Sequence, residues 1–247
     1  SCEAVDMVVA PRAHDIGDGF MVRRALPAAG RRMVGPFIFL DQMGPALLPP
    51  GKGVDVRPHP HIGLATVTYL YEGEIMHRDS LGSALPIRPG ELNWMTAGSG
   101  IAHSERSGAD WRAQGGTLSG LQLWVALPQA HEETAPAFDH YDAANLPVVN
   151  DKGVEARVIA GAALGALSPV KTLCDTVFVD FNLAAGASAP VDAAHEERAL
   201  YIFSGAVEIA GDTFEAGRLV VLKPGASIAV RATSPARFAL IGGETAD

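Results

Sequence analysis

The stretch that decides the fold is RPHPHIGLATVTYLYEGEIMHRDSLG, residues 57–82. Its centre, ATVTYLY (65–71), is rich in β-branched and aromatic residues and is followed by the turn around Gly73, a composition typical of a strand between turns. His59 and His61 stand two residues apart just before this strand. The stretch therefore predicts β-structure with two histidines at the entrance to a strand.

The same frame occurs a second time along the chain. The first copy runs from Gly53 through the histidine pair to Gly73, and the second runs from Gly186 through Asp192-Ala-Ala194 to Gly205. The closing glycines are 132 positions apart. Repetition at this distance predicts a duplicated barrel, each copy built from two sheets.

Short strand-like segments separated by Gly, Pro and Asp continue through the rest of the sequence. A Pro-Gly turn follows each frame, in IRPGELNWMTAGSGIAH (87–103) and in FEAGRLVVLKPGASIAV (214–230). Between Pro128 and Leu146 the pattern becomes polar and turn-rich, as in a connection between lobes. We predict an all-β chain of two lobes, residues 1–135 and 136–247, with helix only in short turns such as 142–145.

Composition limits the possible functions. The 247 residues are 48% hydrophobic and 19% charged, typical of a turn-rich globular protein. The net charge of -9 and the absence of a Lys/Arg cluster disfavour direct nucleic-acid binding. Cys2 and Cys174 are far apart, so we expect no disulfide and a cytoplasmic location; no stretch resembles a signal peptide or spans a membrane.

The histidine pair gains meaning from a second pair. His59 and His61 project from one face of a strand, but alone they are equally consistent with hydrogen-bonded surface histidines. His103 and Glu105 repeat the spacing of two after the turn AGSGIA. Three imidazoles and one carboxylate suit a divalent Fe, Mn, Ni, Cu, Co or Zn ion, and octahedral coordination would leave two open positions.

The second copy lacks this ligand set. Asp192 and Ala194 stand where the first copy has its histidine pair, and LKPGASIAV (222–230) contains neither His nor an acid. We therefore predict no equivalent metal site there. The neighbouring His195, Glu196 and Glu197 are expected to form a solvated cluster, since consecutive strand residues alternate between faces.

Several segments resemble the pirin family of the cupin superfamily. They include GPFIFLDQMGP (35–45), PGELNWMTAGSGIAHSE (89–105) and LQLWVALP (121–128), beside the opening stretch. The resemblance implies a bicupin of two jelly-roll barrels, with iron held in the first by His59, His61, His103 and Glu105 and with no full ligand set in the second. Thr66 stands where other cupins carry an acid, and Glu105 follows the last histidine instead. Pirins make the same exchange.

The resemblance further implies a quercetin 2,3-dioxygenase activity, in which O₂ opens a flavonol ring and carbon monoxide is released. Glu105 would then be both a metal ligand and a proton acceptor. The residues that could line the substrate pocket, each equally plausible as packing, are Phe39, Asp41, Met43, Met76, His77 and Trp94. Two other functions stay open: a metal- or redox-sensing regulator that acts through a protein partner, and a structural metal site, typically tetrahedral zinc.

Overall fold

The computed structural model describes residues 3–246 and is built almost entirely from β-strands. The strands in chain order are β1 (Val5–Val9), β2 (Arg12–Asp15), β3 (Met21–Leu26), β4 (Phe37–Leu48), β5 (Asp55–His61), β6 (Leu64–Glu72), β7 (Ile75–Asp79), β8 (Ala84–Ile87), β9 (Leu92–Thr96), β10 (Ile101–Arg106), β11 (Gly116–Ala126), β12 (Ala137–Tyr141), β13 (Val148–Asp151), β14 (Val154–Ala160), β15 (Ala162–Ala163), β16 (Ala166–Leu167), β17 (Thr176–Leu183), β18 (Ser188–Val191), β19 (Glu197–Ser204), β20 (Ala206–Ile209), β21 (Asp212–Glu215), β22 (Arg218–Leu222), β23 (Ile228–Ala232) and β24 (Ala236–Gly243). The helical elements of the described residues are α1 (Ala109–Gln114) and single 3₁₀ turns at Gln129–His131 and Ala143–Asn145. The all-β prediction and the predicted short turn are confirmed, whereas α1 was not foreseen.

The described chain divides into two compact units. One unit, here the N-terminal barrel, comprises residues 12–24 and 38–143; the other, the C-terminal barrel, comprises 3–11, 25–37 and 144–246. Cys2 lies outside the described residues, so the expected absence of a disulfide stays a prediction. Across residues 3–246, no helix has the length and apolar character needed to cross a membrane.

Each barrel consists of one seven-stranded and one four-stranded antiparallel sheet, and the strand orders match. The N-terminal barrel has the orders β12-β9-β6-β11-β4-β3-β2 and β5-β10-β7-β8. The C-terminal barrel has β1-β22-β19-β24-β17-β14-β13 and β18-β23-β20-β21. Aligning β6 with β19 matches each strand of these two sheets with a strand of the other barrel, and the short pair β15 and β16 has no counterpart. The predicted duplication into two double-sheet barrels is therefore confirmed.

The cores of the two barrels follow from the strand sequences. In β6, the residues from Ala65 to Tyr71 are all buried, as expected for a strand covered on both faces. The N-terminal barrel core groups Val22, Leu70, Ile87 and other aliphatic side chains. The C-terminal core groups a larger set, in which Phe181 and Phe238 stack with ring centroids 4.8 Å apart. Aliphatic and aromatic burial of this kind dominates the free energy of folding.

The division of the chain differs in part from the predicted one. The boundary between the two units lies after residue 143, near the predicted boundary. Residues 3–11 and 25–37, however, belong with the C-terminal barrel. The reason is strand pairing: β1 pairs antiparallel with β22, with Val8 opposite Val220. In the N-terminal barrel the equivalent edge position, next to β9, is filled by β12. The first 135 residues thus supply an edge strand to the other barrel.

Candidate metal centre

The two predicted ligand pairs lie on neighbouring strands. His59 and His61 are on β5, and His103 and Glu105 are on β10, which pairs antiparallel with β5 and places His103 opposite His59. The register shifts between His103 and Glu105, so Glu105 faces Val56. A bulge of this kind alters the direction of the side chains around it and is frequent next to functional sites.

The structure brings the three histidines together. One ring nitrogen from each of His59, His61 and His103 lies within 4.8 Å of the other two. The Nε2 atoms of His59 and His103 are 3.0 Å apart. His61 and His103 are buried, and His59 is partly exposed. Three ring nitrogens converging on one small volume can hold a single ion.

The hydrogen bonds of the cluster fit this role. The Nδ1 of His59 lies 2.7 Å from the Arg57 carbonyl oxygen, so it carries a proton and its Nε2 presents a lone pair. The buried Nε2 of His61 has no hydrogen-bond partner among the described residues. A buried imidazole nitrogen without a partner is unfavourable unless a bound ion satisfies it. The donor set therefore fits a divalent transition metal.

The protonation of the cluster also favours a cation. Burial, reinforced by the neighbouring imidazoles of His103 and His59, lowers the pKa of His61 to about 4. Burial, reinforced by His59 and His77, lowers the pKa of His103 to about 3. Both rings are therefore neutral at neutral pH, which is the form that binds a metal.

Glu105 lies beside the three histidines without joining their close group. Its carboxylate lines the same cavity, and its Oε1 accepts a hydrogen bond of 3.0 Å from the hydroxyl of Thr68. Thr68 on β6 is also 2.9 Å from the Gln122 side-chain oxygen, to which it is directly opposite on β11. Three of the four predicted ligands thus converge, and a buried threonine on another strand orients the fourth.

His77 contributes behind the cluster. Its ring is 5.4 Å from that of His103 and stacks on Phe138 at 4.1 Å. Its Nε2 lies 2.8 Å from Asp79 Oδ2. Burial alone would raise the pKa of Asp79, but hydrogen bonds from His77 and from backbone N–H groups overcome this and leave it lowered. His77 therefore packs against the histidine cluster with its Nε2 bonded to Asp79, and it is not one of the converging histidines.

The cluster opens into a cavity of about 210 Å³. Phe39, Asp41 and Met43 line it, as the sequence suggested, whereas Met76, His77 and Trp94 are not among the lining side chains. Trp124 was missed by the sequence reasoning; it stacks on Phe39 at 4.1 Å and meets His61 edge-on at 5.1 Å. The other lining residues not foreseen are Ile16, Val22, Arg24, Val54, Val56, Ile75 and Gln122.

The sequence indicates the positions of some of these additional lining residues but not of others. Gln122 and Trp124 lie two apart in LQLWVALP, so the strand period could have placed both on one face. Arg24 carries no such signal, because its position depends on the pairing of β3 beside β4. The wall of the cavity is therefore set largely by sheet register.

The C-terminal barrel has no comparable histidine cluster. Within residues 144–246, no three His, Cys, Asp or Glu side chains lie close enough to share an ion. Arg198 is fully buried there and donates hydrogen bonds to the carbonyl oxygens of Asp192, Lys223 and Ala226. A buried guanidinium disfavours a second cation nearby. That this barrel binds no metal ion stays a prediction.

The expected solvated cluster at residues 195–197 is wrong for two of its three members. His195 is buried, with Nδ1 2.8 Å from Asp175 Oδ2 and Nε2 3.1 Å from the Ala162 carbonyl oxygen. Glu197 accepts a hydrogen bond from the Gly35 N–H and pairs with Arg31. Glu196 alone is exposed. The partners come from distant parts of the chain, which local alternation does not reveal.

Two cupin barrels, one of them with a converging histidine cluster in a cavity, define a bicupin with a candidate metal site. The chain belongs to the pirin family. The model of the pirin domain matches residues 19–125, and that of the pirin C-terminal cupin domain matches residues 178–247. A pirin-like protein of Caulobacter vibrioides is 48% identical over 243 residues, covering 97% of this chain and 84% of the relative.

Solved structures agree with this assignment. A crystal structure of quercetin 2,3-dioxygenase from Acinetobacter baumannii superposes with a TM-score of 0.89 at 38% identity, covering 97% of this chain and 79% of that one. A second crystal structure of quercetin 2,3-dioxygenase from the same organism gives a TM-score of 0.91 at 28% identity, covering 99% and 88% of the two chains.

Proposed function

We propose that this protein is a metal-dependent dioxygenase of the quercetin 2,3-dioxygenase type. It would cleave the central ring of a flavonol with one O₂ and release one carbon monoxide. The observation that carries the proposal is the histidine cluster opening into an aromatic, largely apolar cavity beside a carboxylate. The likeness to two quercetin 2,3-dioxygenase structures supports the same reaction class.

The proposed ligands are His59, His61, His103 and Glu105, and the proposed ion is Fe(II), with Mn, Ni, Cu, Co and Zn as alternatives. A bound divalent ion supplies Lewis acidity toward the flavonol oxygens and, for iron, redox chemistry with O₂. The neutral His61 and His103 supply lone pairs without first losing a proton, because burial keeps their pKa values far below neutrality.

Glu105 would accept the proton of the flavonol 3-hydroxyl. Its Oε1 is fixed by the Thr68 hydroxyl, so the carboxylate keeps one oriented oxygen and one available for the ion or the proton. Thr68 is buried, and its hydroxyl oxygen lies 2.9 Å from the Gln122 side-chain oxygen. The restricted position of this hydroxyl limits rotation of the Glu105 carboxylate. The apolar side chains that line the cavity, including Val56, Ile75 and Trp124, would pack against the flat substrate rings and exclude water.

The test is O₂ uptake and carbon monoxide release with quercetin, on protein of measured metal content. We expect equal consumption of O₂ and flavonol, loss of metal and turnover in His59→Ala, and full activity in the matched control His131→Ala. His131 is exposed and lies outside the cavity and the histidine cluster. Glu105→Gln should lose turnover while retaining metal. Absence of turnover in iron-loaded wild-type protein would refute the proposal.

A second candidate is a metal-sensing regulator that binds a protein partner. One observation favours it: Ile62, directly after His61, is 70% exposed and would place a partner's surface next to the ion. This candidate predicts partner binding that depends on metal and no O₂ uptake. A structural site would instead hold tetrahedral zinc without an exchangeable water.

A further inference from the structure

Arg24 lines the same cavity as the histidine cluster, on a different strand. It lies on β3 and shares a strand face with Val22, a member of the N-terminal barrel core. Its guanidinium carbon is 4.4 Å from the ring centre of Phe39, which in turn stacks on Trp124. Trp124 meets His61 edge-on, so an aromatic path joins the arginine to the cluster.

The guanidinium is held in one orientation by Asp41. Nε donates to Asp41 Oδ1 at 2.8 Å and Nη2 donates to Oδ2 at 2.9 Å. The carboxylate is 4% exposed, and the hydrogen bonds to it raise the pKa of Arg24. A planar ion fixed on one edge and covered by Phe39 on one face has little freedom to turn.

This arrangement leaves one edge of the guanidinium unused. Arginine has five N–H donors, and Asp41 takes two of them. Among the described residues, the side-chain hydrogen bonds of Arg24 go to Asp41, and the Arg24 side chain is 25% exposed. The Nη1/Nη2 edge therefore presents a rigid pair of donors that matches two oxygens of a planar acceptor.

We propose that the Nη1/Nη2 edge of Arg24 is a carboxylate-binding subsite of this cavity. It selects flavonol-like aromatic ligands that carry a carboxylate at a distance from their metal-binding oxygens. The apolar side chains that line the same cavity, including Val56, Ile75 and Trp124, would pack against the aromatic body of the ligand. The proposal rests on the proposed function only in taking the ligand to be flavonol-like.

The experiment compares two probes, 3-hydroxyflavone and 3-hydroxyflavone-4′-carboxylate. Dissociation constants are measured by quenching of tryptophan fluorescence, under argon so that no turnover occurs, on the protein as purified with its metal quantified. We expect wild-type protein to bind the carboxylate roughly tenfold more tightly or better, the usual worth of a charge-assisted pair of hydrogen bonds. Equal or weaker binding of the carboxylate, or no binding of either probe, would overturn the proposal.

The variants separate the subsite from the packing of the wall. Arg24→Gln should remove the preference, while the affinity for 3-hydroxyflavone stays within about threefold. Arg24→Lys keeps the charge but loses the planar fork, so it should recover only part of the preference. Full recovery by lysine, or an equal loss for both probes in Arg24→Gln, would refute a forked carboxylate subsite.

Two further variants serve as controls. Because Arg24→Gln leaves the buried Asp41 unpaired, the double variant Arg24→Gln/Asp41→Asn restores a neutral hydrogen-bonded pair and should lose the same preference. Arg57→Gln removes an arginine that is 79% exposed and outside this cavity, and should leave it unchanged. Binding under argon is independent of turnover: a flavonol that binds with this preference but consumes no O₂ would refute the dioxygenase and keep the subsite.

Discussion

The metal-free protein is expected to lose stability as the pH falls from about 6.5 toward 4, because of His61 and His103. The folded state lowers the pKa of these rings from 6.5 to about 4 and about 3. An unfolded chain therefore binds protons in this window that the folded chain does not. The stability contributed by neutral burial is complete above pH 6.5 and is lost as the pH falls through the folded-state values.

The magnitude follows from the size of the two shifts. At pH 5 each unfolded histidine is about 1.5 pH units below its ordinary pKa, whereas the folded rings are still largely neutral. With about 1.4 kcal/mol per unit, the loss is about 2 kcal/mol for each ring and about 4 kcal/mol for both. This is a large part of the 5–15 kcal/mol that stabilises a typical domain.

The assay is urea unfolding of chelator-treated protein at pH 7.5 and pH 5.0, followed by tryptophan fluorescence. The double variant His61→Gln/His103→Gln is the comparison, because every other titrating group is common to both proteins. We expect the free energy of unfolding of the wild-type protein to fall between the two pH values by several kcal/mol more than that of the variant. Equal falls in the two proteins would refute the account of the cluster as neutral, buried imidazoles.

Two other predictions concern the ion and its carboxylate. Addition of Fe(II) under argon at one hundred times its dissociation constant should raise the free energy of unfolding by about 2.7 kcal/mol in wild-type protein and in His131→Gln, and the increase should vanish in His103→Gln. Thermal denaturation with and without metal checks this, and equal stabilisation of all three proteins would contradict it. Thr68→Val should lower kcat at least tenfold and shift the pH profile of kcat with metal content unchanged, because the hydroxyl that orients Glu105 is lost. Thr68→Ser keeps the hydroxyl and should keep the wild-type kcat and pH profile; an unchanged profile in the valine variant would show that Thr68 only packs.

Local patterns predicted the parts of the fold that depend on neighbouring residues. The alternation and composition of residues 64–72 and the period of two in the ligand pairs are properties of single strands. The identity of the edge strand beside β22 is not a property of a single strand, because β1 pairs with β22 from more than two hundred residues away in sequence. Such pairings depend on the register and edges of a sheet, which a single sequence does not specify well.

The candidate site divides along the same line. The three histidines were predictable because strand period and a repeated motif bring them to one face. The direction of the Glu105 carboxylate depends on Thr68 and a local register shift, and the position of Arg24 depends on strand pairing. His195 was misjudged for a similar reason, since Asp175 and Ala162 are its partners only in the folded chain.

Comparison of the two barrels shows how one frame supports two different chemistries. Counted back seven positions from the closing glycines Gly73 and Gly205, Thr66 on β6 corresponds to Arg198 on β19. The guanidinium of Arg198 draws together backbone carbonyls from two turns, one at Asp192 and one at Lys223 and Ala226. It thus connects loops around its barrel by hydrogen bonds, as an ion would connect β5 and β10 in the N-terminal barrel. Thr66 is a small, uncharged buried residue, whereas the buried guanidinium of Arg198 stands at the equivalent position and disfavours a metal ion nearby.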